Sequence, residues 1–75
     1  MITVGRIVHY VKDGNLFPAI VVNDLKDDVA DLMVFKITKT IDGEPTNATY
    51  AVCGVENSKD HKEGHWTWPP RAYNQ

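Results

Sequence analysis

Five short runs rich in β-branched and aromatic residues, each followed by turn-forming residues, take up most of the chain. Thr3 to Val11 opens the series and alternates in part. Ile7, His9 and Val11 fall on one strand face, with Val8 and Tyr10 on the other. Lys12-Asp13-Gly14-Asn15 reads as a turn in which Gly14 or Asn15 supplies positive φ. Pro18 to Asn23 is the second run, and Pro18 has no N–H for a ladder, so it is expected at a strand start or on an edge. Four consecutive apolar residues there predict burial on both faces, or one face covered by a partner subunit. Leu32 to Thr38 alternates most clearly, with Met33, Phe35 and Ile37 opposite Leu32, Val34 and Lys36. Asp42-Gly43 marks the next turn, Ala48 to Val52 the fourth strand ended by Gly54, and His65 to Trp68 the last, stopped by Pro69-Pro70.

Between these runs, residues 24–31 read as an aspartate-rich loop, with one helical turn capped by Asp24 as the alternative. Residues 56–64 read as a solvated, charged loop. Five strands with little room for helix predict an all-β domain, a small five-stranded SH3-like barrel or a strongly bent antiparallel sheet. Seventy-five residues make one small domain spanning the chain. Such a domain buries only about 60% of its unfolded surface, and small cores lean on disulfides, metals or self-association. Cys53 is the single cysteine, so no internal disulfide forms. A homo-oligomer, dimer or tetramer, is the expected support.

The groupings that most catalysis needs are missing, and no enzyme activity or cofactor is expected. Asp24, Asp27, Asp28 and Asp31 cluster on a loop with no apolar pocket to perturb them. Cys53 ends a strand in Ala51-Val52-Cys53-Gly54, a setting that predicts a small buried residue rather than a nucleophile. Cys53, His61 and His65 supply three metal-ligand types, short of the four that a structural zinc site takes. The five glycines match no phosphate-cradling pattern. Lys and Arg number eight, scattered among ten acids for a net charge of −2, which argues against a DNA or RNA partner. No apolar stretch approaches a membrane span and no signal peptide is visible, so a cytoplasmic protein without a membrane partner is expected.

The most unusual local composition is Gly64-His65-Trp66-Thr67-Trp68-Pro69-Pro70-Arg71. On a strand, Trp66 and Trp68 share a face. They could plug a small core, form a subunit contact or stack a flat ligand. Arg71 beside them could hold a phosphate. Arg6, His9 and Tyr10 form a second polar and aromatic group on the first strand, which folding could bring near the last.

Gly5-Arg6-Ile7-Val8-His9-Tyr10-Val11, then Pro18-Ala19-Ile20-Val21, and finally Gly64-x-Trp66-x-Trp68-Pro69-x-Arg71 resemble a group of small phage and prophage proteins. These open with a Gly-Arg-x-Val-x-Tyr strand and close on a Gly-x-Trp-x-Trp-Pro signature. The group is similar to the anti-CBASS sponge proteins of phages, which sequester cyclic nucleotide signals of bacterial antiviral defence in pockets of a homo-oligomer. The resemblance implies a cyclic dinucleotide or trinucleotide bound without cleavage in the host cytoplasm. With the residue pattern, it assigns Tyr10, Trp66 or Trp68 to base stacking and Arg71, Arg6 or His9 to phosphate. His65 and Thr67 stand at the variable positions of the signature and leave the nucleotide open. The competing reading is an SH3-like interaction module that docks a host or phage protein on an exposed aromatic strand.

Overall fold

A computed structural model describes residues 2–41 and 44–70, with side chains described for 2–36 and 49–70. The turn expected at Asp42-Gly43 lies outside the described residues. The chain runs β1 (Ile7–Lys12), β2 (Asn15–Asp24), β3 (Ala30–Ile41), β4 (Glu44–Val55) and β5 (Trp66–Thr67), with no helix among the described residues. All five strands form one antiparallel sheet in the order β4-β3-β2-β1-β5. Consecutive strands pair as hairpins, and the last returns beside the first. The all-β expectation holds, but the barrel does not close. β4 and β5 are both edges, and β5 has only two residues. Its outer side is taken by the chain following β4: Trp66 N–H donates to the Glu56 carbonyl and Ser58 N–H to the Trp66 carbonyl, both at 2.9 Å. A very short, covered edge offers other chains little to pair with.

Several local expectations change. β1 begins at Ile7 rather than Thr3, because Gly5 has a φ of 88° and Arg6 N–H turns back to the Thr3 carbonyl. The β1–β2 turn is a two-residue loop in which Gly14 supplies positive φ as expected (75°), joined by Asp13 (53°) rather than Asn15. That geometry matches the right-handed twist of the flanking strands, and Asp tolerates it better than most residues. Pro18 lies inside the central strand β2, opposite His9, not at a start or an edge. Val21 N–H donates to the Arg6 carbonyl, and hydrogen-bonded pairs alternate along an antiparallel ladder. Pro18 therefore occupies a non-bonded pair toward β1 and turns its nitrogen toward β3, where the pairing with β2 begins only at Ala19 opposite Val34, so no ladder bond is lost. Residues 25–29 form the loop rather than the helical turn, closed by Leu25 N–H to the Val29 carbonyl.

Gly54 does not end the fourth strand. The register of β3 against β4 shifts between Ala30 and Leu32, so that Cys53 and Gly54 together oppose Asp31. On its other side Asp31 faces a second shift, between Val21 and Asn23 of β2. Two bulges thus flank one residue and bend the sheet there. Gly54 accommodates its φ of 64° as only glycine does freely.

One face of the sheet builds the core. Val8, Ala19, Val21, Leu32, Val34 and Trp66 are fully buried there, joined by Ile2, Tyr10, Ala30 and Val55. Among the described residues no helix is long and apolar enough to cross a membrane.

Candidate functional site

The two tryptophans share a side of the chain, as their spacing implies, but do different things. Trp66 is completely buried. Its indole N–H donates to the Asp28 carbonyl at 2.9 Å, and its carbonyl accepts from Asn57 Nδ2 at 3.2 Å. No face of that ring is open to a ligand. Trp68 meets it edge to face, with centroids 5.1 Å apart and planes at 87°, and stays 39% exposed. Across Trp68 lies the Arg6 guanidinium, 5.2 Å from the ring centroid. Pairing of β1 with β5, His9 opposite Thr67 and Tyr10 opposite Trp66, brings these chain ends together.

The other residues singled out from sequence do not join this pair. Tyr10 is a core residue. Burial first, and then the neighbouring Tyr50 hydroxyl, raise its phenol above the ordinary value, opposed by Lys12. His9 lies one residue away on the opposite face, its Nδ1 enclosed without a hydrogen-bond partner among the described residues. Arg71 lies outside the described residues. Cys53, expected to be buried, is exposed, because alternation along β4 puts it on the outward face with Ala51, opposite Val52. Among the described residues no three of His, Cys, Asp and Glu converge as metal ligands would.

Two features escaped sequence reasoning. The loop after β4 is more than solvated charge: the Glu63 carboxylate accepts from Asp13 N–H at 2.9 Å and Gly14 N–H at 3.4 Å, clamping the β1–β2 turn. Lys36 reaches over the Phe17 ring at 5.7 Å. Its place in the Leu32–Val34–Lys36 alternation was the visible signal. A hollow of about 270 Å³ is lined by Asp24, Leu25, Asp27 and Asp28. Three carboxylates around it repel anions, so it does not suit a phosphate.

Asp31 holds the two bulges together. Its carboxylate accepts from Gly54 N–H at 2.9 Å and Asn23 Nδ2 at 3.0 Å. The Gly54 amide, then Asn23, and to a smaller degree the Cys53 thiol hold its pKa below the ordinary 3.8 against a weak desolvation effect. A carboxyl whose pKa is depressed by folding adds stability that is complete above the unfolded value and lost as pH falls through the folded one. Thermal melts should therefore fall as the pH drops through and below the ordinary carboxylate range, and Asp31→Asn should flatten that fall while lowering the neutral-pH melting temperature. Identical acid profiles for the two proteins would remove Asp31 from this role.

Compared with protein-family models, curated proteins and solved structures, the chain matches none.

Proposed function

We propose that this chain is a non-catalytic binding domain whose Arg6–Trp68 pair receives a flat, anionic ligand. The ligand class is a cyclic dinucleotide or trinucleotide, held without cleavage in the host cytoplasm as a sponge holds it. The observation that supports this reading is a guanidinium seated against a partly exposed indole. The ring offers a base a stacking surface, worth about 1–3 kcal/mol per base. The guanidinium offers N–H donors that fit a phosphate. Trp66, locked beneath, meets Trp68 edge to face and limits its rotation, so less freedom is lost on binding. A net charge of −2 does not prevent this, because an anion responds to the groups nearest it. The resemblance of the two chain ends to phage sponge proteins supplies the ligand class.

Calorimetric titration with a panel of cyclic di- and trinucleotides tests it. At least one should bind, and Trp68→Ala should weaken it roughly 5- to 150-fold, the span of one lost stacking contact. Arg6→Ala should weaken it as well, with a smaller salt dependence left behind. No heat from any member of the panel, or full affinity in Trp68→Ala, would end the proposal.

A further inference from the structure

The face of the sheet opposite the core is the least expected surface of the molecule. Register places Ile7, Ile20, Met33 and Ala51 side by side across β1, β2, β3 and β4. The next row along the strands holds His9, Pro18, Phe35 and Thr49, with Leu16 and Val22 at the two ends of β2. In an antiparallel sheet with one wetted face, these positions should be polar. None is Asp, Glu, Lys or Arg, although the chain carries eight basic and ten acidic residues. The nearest carboxylate, Asp31, sits at the bulged rim and is already hydrogen-bonded. Ile7 is 57% exposed, Val22 41% and Leu16 40%. The strands are patterned for burial on both faces; on this one the single chain buries Val11, paired with Leu16, and Thr67, opposite His9, and leaves Ile7, Leu16 and Val22 in solvent.

We propose that a second copy of this chain covers that face, the two sheets packing one on the other about a two-fold axis. Three observations favour a like copy over a different partner. First, the face has no fixed charge with which to select or orient an unlike protein, whereas an isologous contact needs only a self-complementary apolar patch. Two copies each at −2 would repel through a charged face, and this one keeps charge away from the centre. Second, the core of one chain is thin. Alanines and valines make up much of it (Ala19, Ala30, Val8, Val21, Val34), and small domains of this kind gain stability from association. Face-to-face sheet packing about 10 Å apart would turn a one-sided sheet into a two-layered sandwich. Third, the area suffices. Four strands and the seven residues from Leu16 to Val22 make a patch roughly 20 Å on a side, or roughly 600 Å² per copy with side-chain relief. That lies at the lower end of specific interfaces. The inference stands apart from the Arg6–Trp68 reading.

Sedimentation equilibrium of the purified chain, from low micromolar to submillimolar concentration, tests it. A dimer should form, or a tetramer built from such dimers. Ile7→Glu puts a charge on a residue that the single chain leaves in solvent, so the fold should persist by circular dichroism while association weakens roughly 100-fold or more. Leu16→Glu, exposed on the same face, gives a second reading should Ile7→Glu disturb β1. Leu25→Glu, exposed in the acidic loop away from this face, should associate like the parent. A parent that stays monomeric at submillimolar concentration overturns the proposal, whether or not a different protein copurifies with it. So does an oligomer that neither face variant weakens.

Discussion

Replacing Trp66 with alanine is expected to leave the chain unfolded at room temperature. Among the described residues, this side chain joins separate parts of the structure. The ring fills the core against Tyr10 and Trp68, and its N–H reaches the loop between β2 and β3 through the Asp28 carbonyl. Truncating a buried Trp to Ala costs about 3–5 kcal/mol. A domain this small has a total stability near the lower end of the usual range, about 5 kcal/mol. The two figures nearly cancel. Trp66→Phe separates volume from hydrogen bonding: it keeps most of the ring, strands the Asp28 carbonyl and should cost about 1–3 kcal/mol. Far-UV circular dichroism and urea titration would read both. A cooperatively folded Trp66→Ala protein melting within a few degrees of the parent would mean that this indole does not hold the core together.

The contrast with Trp68 bears on what the sequence could reveal. Two tryptophans, two residues apart, carry the same pattern information. Only the pairing of β5 with β1 decides that one lies under the sheet and the other at its margin. The approach of Arg6 to the last strand was legible, because a small sheet with little else to pair tends to bring its first and last strands together. Strand identity was legible for the same reason: alternation in Leu32–Lys36 survives any register. Which alternate set faces the core was not, since Leu32 and Val34 are no more apolar than Met33 and Phe35. Gly54 and Pro18 misled in opposite directions. Each breaks a rule of local propensity, and each is accommodated by what lies across the sheet, Asp31 for the Gly54 amide and the end of the β2–β3 ladder for Pro18. Glu63 and the turn it clamps are about fifty residues apart in sequence, beyond any local reading.

Leu32→Ala should have the second-largest effect. Leu32 is fully buried and stands in register between Val21 and Val52, at the middle of the core face. Leu-to-Ala changes at such sites cost about 2–5 kcal/mol, with the upper values where the surroundings cannot collapse. Backbone hydrogen bonds on both sides of β3 restrain that collapse here. At about 4–8 °C per kcal/mol for a domain of this length, the melting temperature should fall by at least ~8 °C. Met33, the next residue, is the informative comparison because it points to the opposite face. If a second copy covers that face, part of the parent's stability arises by mass action and grows with protein concentration. Leu32→Ala should then lower every melting temperature while keeping that dependence, whereas Met33→Ala should flatten it and cost little in dilute solution. Equal losses at all concentrations for both variants would mean that both faces are packed within a single chain, and the one-sided core described for this sheet would be wrong.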